Sequence, residues 1–347
     1  MNVRPDTIWF TRCPVPAASG IAIQQGWIAD VLGRKNVEFR SLRQHPSQEI
    51  RESHYTHRLE NSFRQGGNAP AIWARAAGAD TRLIGLQWVP QYQAIISLTP
   101  GQTLKGATIG IPLRLNHKID FWRAIALQGV THALSRSGLT LDDINIKYLE
   151  RSDSYVAADP NDKDNMASVP RLSRLSLTET LALVRGEVDA IFAYSAWGMS
   201  LKHQLGAHEV YNLSLDDDYR FKVNNEQPET LTVSGGLLRE HPDLVDDYVA
   251  VLLAASEWAK RNVAEATRMM AREIGTSDYW VEEAIGADIS ERLDISLEPQ
   301  LVDALEARKS FLFENGFLPA DFDTASWIDH GPLVRARDKA GSILANT

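Results

Sequence analysis

The chain of 347 residues carries one cysteine, Cys13, within the run Thr11-Arg12-Cys13-Pro14-Val15-Pro16. A thiol can give a proton, attack an electrophile or simply pack as a small apolar group, and its surroundings decide which. Pro14 and Pro16 have no backbone N–H, so a strand ahead of them has to stop there. The apolar run Thr7-Ile8-Trp9-Phe10 reads as that strand. Cys13 is thereby placed where a strand gives way to a loop, the edge at which open α/β sheets bind ligands.

A second stretch, Ser53 to Pro70, contains His54, Tyr55, His57, Arg64 and the pair Gly66-Gly67. An arginine ahead of glycines that open a helix suits an oxyanion. The guanidinium offers a planar fork of donors, the glycines let backbone N–H groups come close, and the helix N-terminus favours negative charge. The same residues also fit a surface arginine beside an ordinary glycine turn. His54 and His57 stand three apart, but no third and fourth ligand is evident nearby, so the spacing does not make a metal site. One histidine beside Cys13 could lower the thiol pKa or hold its proton in place.

The totals narrow the classes. A net charge of −9 without a Lys/Arg cluster argues against a nucleic-acid partner. A single cysteine excludes an internal disulfide and a cysteine-rich metal site, and it suits a reducing compartment. The first ten residues lack the apolar run of a secretory signal, and no apolar run is long enough to span a membrane. The expectation is a soluble, cytoplasmic protein.

These side chains must be positioned by alternating strands and helices. Strands are expected at 37–40, 82–86, 93–98, 107–112 (ending at Pro112), 145–149, 188–193, 209–213 and 231–238. Helices are expected at 17–26, after Pro70, at 121–137 with Trp122 in its first turn, at 178–186, after Ser195, and from Pro242 onward. Residues 43–53 and 158–168 read as polar loops. The alternation implies an α/β fold with largely parallel sheets. Residues 106–232 have their own βαβ rhythm, and the C-terminal helices lack strands and must pack back on the first block. Two lobes follow, 1–105 plus 233–347 and 106–232, with a cleft between them as the default ligand site. Phe121, Trp122, Tyr194 and Trp197 fall at strand–helix junctions of the second lobe, where they could line an aryl pocket or fill the core.

Cys-Pro-Val-Pro after a first strand, then His54, Arg64 and Gly67, resembles the 2'-hydroxybiphenyl-2-sulfinate desulfinase family. The similarity runs through Leu139-Thr140-Leu141-Asp142-Asp143, Gly186-Glu187-Val188-Asp189-Ala190, Ala196-Trp197 and Val233-Ser234-Gly235-Gly236-Leu237. Those later stretches also resemble the wider sulfonate, taurine and nitrate binding proteins. The resemblance implies a type II periplasmic-binding-protein-like fold, two lobes each with a mixed, mostly parallel sheet flanked by helices. It implies a monomeric hydrolase that cleaves the carbon–sulfur bond of a small aromatic sulfinate with water, giving the arene or hydroxybiphenyl and sulfite. Cys13, His54 and Arg64 would be catalytic, the Gly67 N–H would hold sulfinate oxygens, and Tyr55 and Trp122 would line the substrate site. Neither protonation by the thiol nor covalent attack on sulfur needs a metal or an organic cofactor. The chain departs from the family after His54, with His57 and Leu59 where an aromatic and an amide stand near the hydroxyl-bearing ring. The alternative is a non-catalytic solute-binding protein for a sulfonate, sulfinate or other oxyanion. A thiol in the cleft mouth separates the two readings.

Overall fold

The computed structural model describes residues 4–115, 117–151 and 177–344. The loop expected at 158–168 lies outside them. The described chain builds two five-stranded sheets of matching plan.

The first sheet contains β1 (Thr7–Arg12), β2 (Glu38–Ser41), β3 (Ser62–Gly66) and β4 (Thr81–Gln87). The second contains β5 (Gln93–Ser97), β6 (Thr108–Arg114), β7 (Asn145–Arg151), β8 (Ala190–Tyr194) and β9 (His208–Asn212). The last strand, β10 (Glu229–Ser234), returns to the first sheet. β1 pairs in parallel with β2 and β3, and β10 lies antiparallel between β3 and β4. In the second sheet β6 pairs in parallel with β7 and β8, and β5 lies antiparallel between β8 and β9. The chain thus crosses between the sheets twice, after β4 and after β9, and only the first sheet takes a strand, β10, from beyond the other. Both sheets are mixed and flanked by helices, as expected. The sheets move both boundaries: Gln93–Ser97, expected in the first lobe, belongs to the second sheet, and β10 from Glu229, expected to start the first lobe only at 233, belongs to the first, so the chain crosses before residue 93 and returns before residue 229.

Helices fill the faces. Pro242–Arg261 buries Leu244, Val245, Tyr248, Val249, Leu252 and their neighbours against the first sheet's core, where Phe63 stacks on Tyr248 at 3.8 Å. The final helix Gly331–Leu344 packs along it, its Arg335 and Lys339 each 2.8 Å from Asp246 and Asp247. The C-terminal helical segment therefore does return to the first sheet. It is also stitched to β4 by the bridges Leu83–Ile328 and Leu86–Ser296.

Three local expectations change. Residues 43–53 are not all loop: short helices at Gln48–Arg51 and Ser53–Thr56 carry the chain to His54. Pro112 does not end its strand. Beyond Gly110, β6 has a partner only on the β7 side, so the missing N–H of Pro112 breaks no ladder bond. The strand expected at 231–238 stops at Ser234, and Gly235–Glu240 is helical. Gly235 donates its N–H to the Asp80 carbonyl at 2.7 Å, and a Cβ there would strike the Asp80 carboxyl, so the glycine permits a close turn rather than a strand.

Candidate active site

β1 runs two residues beyond the apolar core that announced it and delivers Cys13 at its end. Arg12 fixes that end from one face of the sheet. Its guanidinium forms a buried bidentate pair with Glu273, Nη2 lying 2.9 Å from Oε2. Beside β1, β3 carries Arg64 opposite Thr11, and the two side chains share the other face. Two neighbouring strands therefore bring together Cys13 and Arg64, fifty-one apart in sequence.

Arg64 Nη2 reaches Cys13 Sγ at 3.4 Å. The Gly67 N–H also points at the sulfur and, with Arg64, favours the thiolate. Burial opposes both and wins, so the thiol sits above its ordinary pKa. Arg64 is 3% exposed, and among the described residues its Nε and Nη1 have no hydrogen-bond partner. A buried guanidinium with two open N–H directions is an anion site by chemistry.

The glycine pair divides its labour. Gly66 has φ +138°, and a Cβ there would stand 2.7 Å from Cys13 Cβ and 2.8 Å from Sγ. Gly67 precedes the helix Asn68–Ala76, whose first donors are partly satisfied by Asn225. The Asn68 N–H donates to the Asn225 carbonyl at 2.6 Å and the Ala69 N–H to Asn225 Oδ1 at 3.1 Å. Any Cβ on Gly67 would collide with the Asn225 amide. Sequence reading found the pair but not the distinct demand on Gly66, nor Asn225.

His54 lies on the short helix Ser53–Thr56, with Nδ1 2.8 Å from Thr11 Oγ1. Burial, with the Arg64 charge beside it, holds its pKa well below the ordinary histidine range, and His57 behaves likewise. Both imidazoles are neutral near pH 7, so the positive charge at the site is that of Arg64. Tyr55 is buried in the adjoining apolar cluster, edge-on to His54 at 4.9 Å and near His117 and Phe121.

A pocket opens beside the cysteine loop, at the junction of the two sheets. Pro14 and Pro16 form one wall, and Trp122, Phe192, Trp197 and Ile125 face them. Trp122 is thus on the pocket, while Tyr55 stands behind it. Pro112 lines it too, at the place where β6 loses its second partner. Among the polar groups on this wall are Gln91, Tyr194 and Glu226. Gln91 Nε2 donates to Glu226 Oε2 at 2.7 Å, yet burial still pushes that carboxyl up to about 7. Glu229 is fully buried one turn of chain further on, with both oxygens unpartnered among the described residues, and its pKa is raised well above the usual range by burial and by Glu226. Sequence reading missed this acidic pair. Nothing in its spacing marks it, and only the close packing beside β10 and the cysteine loop makes it unusual.

Among the described residues there is no group of three His, Cys, Asp or Glu side chains able to hold a metal ion. Nor is any helix among them long and apolar enough to cross a membrane.

With this geometry in view, comparison with known proteins is informative. The chain is 26% identical, over 93% of its length and 91% of the relative's, to the 2'-hydroxybiphenyl-2-sulfinate desulfinases of Rhodococcus erythropolis and Rhodococcus qingshengii. It resembles that desulfinase from end to end. No family model matches. Among solved structures, a cysteine-to-serine form of DszB in complex with biphenyl-2-sulfinic acid superposes with a TM-score of 0.75 at 24% identity, covering 97% of this chain and all of that one. The periplasmic aliphatic sulphonate-binding protein SsuA of Escherichia coli follows at 0.66 and 15% identity, covering 94% and 92%. The periplasmic-binding-protein-like fold is therefore shared by an enzyme and by transport receptors, and fold alone does not separate them.

Proposed function

We propose that the protein is a desulfinase that cleaves the carbon–sulfur bond of an aromatic sulfinate, 2'-hydroxybiphenyl-2-sulfinate or a close relative, and releases sulfite. The observation that carries this reading is the meeting of Arg64 Nη2, the Gly67 N–H and Cys13 Sγ beside an apolar pocket. An oxyanion receptor needs the two donors but has no use for a thiol between them. The resemblance to the curated desulfinases over nearly the whole chain supports the same reading.

The chemistry runs as follows. Arg64 and Gly67 hold the sulfinate oxygens, and the aryl group lies along Pro14 toward Trp122. Cys13 gives its proton to the ipso carbon, forming the C–H bond. The C–S electron pair then restores the ring as neutral sulfur dioxide leaves. Water adds to sulfur dioxide to give hydrogen sulfite and a proton, and that proton returns to the thiolate. Atoms and charge balance as sulfinate plus water to arene plus hydrogen sulfite. The raised pKa favours this route over attack by a standing thiolate, because it keeps the proton on sulfur near pH 7. Arg64 then stabilises the thiolate formed on transfer. Neutral His54 acts through Thr11, fixing the end of β1 rather than adding charge. A thiol with this duty favours a reducing compartment, consistent with a cytoplasmic setting.

The test is sulfite release from 2'-hydroxybiphenyl-2-sulfinate by the purified protein, by Cys13→Ser and by Arg64→Lys. Cys13→Ser should fall at least a hundredfold while melting like the parent, since the change is nearly isosteric. Arg64→Lys should lose about tenfold or more in kcat/KM, because an ammonium cannot present the same fork. Release by Cys13→Ser at more than a tenth of the parent rate would remove the thiol from the chemistry. Binding of sulfinates without turnover by the parent would leave the receptor alternative.

A further inference from the structure

The sulfinate donors account for one pole of the pocket. Next to them, one residue beyond the Asn225 that packs on Gly67, stands a second polar group for which that anion has no use. Glu226, on the segment between β9 and β10, lines the largely apolar cavity between the cysteine loop and the aromatic wall, near Gln91 and Tyr194. Gln91, itself 2% exposed, holds one carboxyl oxygen through its Nε2 at 2.7 Å. The hydroxyl of Tyr194 is buried beside the same carboxyl and has no partner at full hydrogen-bond geometry. A fixed carboxyl and a buried phenol oxygen with spare capacity are costly in apolar surroundings unless something polar meets them. A second sulfinate or sulfonate is a poor partner, because it would face the Glu226 carboxyl. A neutral hydroxyl is a good one, since it donates to a carboxyl oxygen and accepts from a phenol.

We propose that Glu226, steadied by Gln91 and joined by Tyr194, is the specificity element that reads a hydroxyl on the distal ring of the substrate. The proposal rests on the desulfinase reading and deepens it. The sulfinate is anchored at Arg64 and Gly67, the rings lie along Pro14, Trp122 and Phe192, and the 2'-hydroxyl, ortho to the biaryl bond like the sulfinate and so close beside it, meets Glu226. Such a site selects by leaving its own polar groups unmet when the hydroxyl is missing.

The experiment compares kcat/KM for 2'-hydroxybiphenyl-2-sulfinate and biphenyl-2-sulfinate in the parent protein, Glu226→Leu and Glu226→Gln. The parent should prefer the hydroxylated substrate by about tenfold or more. In Glu226→Leu that ratio should collapse toward one, with the loss seen mainly as a higher KM for the hydroxylated substrate. Glu226→Gln keeps an oxygen acceptor and should fall between. If the leucine variant fails to fold, the glutamine variant still reads the ratio. A parent ratio near one, or a ratio unchanged in both variants, overturns the proposal. Equal losses on both substrates overturn it too, by assigning Glu226 to a step they share. No sulfite from either substrate with the parent protein sinks the desulfinase reading itself, which is a separate outcome.

Discussion

Half-buried Cys13 and buried Arg64 draw their character from being held together. Burial alone would make the thiol inert, and the guanidinium alone would make it a thiolate. The balance observed leaves a protonated thiol whose conjugate base has a cation at 3.4 Å. The same burial acts on Glu226 with a consequence for stability. Its folded pKa, about 7, lies above the ordinary 4.5, so the folded protein binds this proton more tightly than the unfolded chain. That stabilisation is complete below about pH 4.5 and is lost as pH rises through about 7. Urea unfolding at pH 5 and pH 7 should show a stability difference between the two that is smaller in Glu226→Gln than in the parent by about 2 kcal/mol. The same pH slope in both would mean that this carboxyl is as well solvated folded as unfolded. Of these residues the sequence disclosed Cys13, Arg64 and Gly67, because a unique thiol, prolines and a glycine pair are conspicuous in any chain. Glu226 and Glu229 were illegible, since a glutamate is unusual only once its surroundings are known.

At the scale of elements, the site depends on how closely β3 and the cysteine loop approach. Gly66 sits at that contact, and two constraints coincide there: a φ of +138° and a side-chain volume already filled by Cys13. Gly66→Ala should therefore cost about 2 kcal/mol of stability and displace the thiol from Arg64. Urea unfolding and the alkylation rate of the lone cysteine would report the two effects, and a variant with parental stability and alkylation rate would contradict the contact. Element boundaries were legible wherever a break is dictated locally, as at Pro70 within the first turn of its helix or Pro242 at the start of the long one. They were illegible where sheet context overrides the residue. Pro112 continues a strand because one flank of β6 is open, and Gly235 turns the chain because Asp80 lies against it.

At the scale of the molecule, the two sheets are joined by buried amides rather than by apolar contact alone. Asn68 donates to the carbonyls of Asn224 and Pro228 at 2.7 and 2.8 Å, and Asn224 donates to Gln93 Oε1 at 3.1 Å. Arg308 enters this network from the C-terminal helix Pro299–Glu314, its Nε 3.2 Å from Asn68 Oδ1 and its Nη1 on the Ala124 carbonyl and Gln128 Oε1. Its side chain is fully buried, its pKa is lowered to about 9 by burial, and its partners are amide and carbonyl oxygens. Arg308→Met should cost about 3 kcal/mol, because it strands acceptors in both halves of the molecule. A loss below about 1 kcal/mol in urea unfolding would show that these acceptors find other donors.

The insertion of β10 between β3 and β4 also bears on the order in which the protein comes into being. Until residues 229–234 have been made, β3 and β4 have no strand between them, and the first sheet lacks its centre. The second sheet needs only the continuous stretch from β5 to β9, so its pairings close over shorter loops. During synthesis the half encoded in the middle of the chain should thus become compact before the half that contains the N-terminus. Cys13 precedes β10 by more than two hundred residues, so it would wait for that stretch before meeting Arg64 in its final place. The surroundings of the thiol are consequently completed only once β10 has been made.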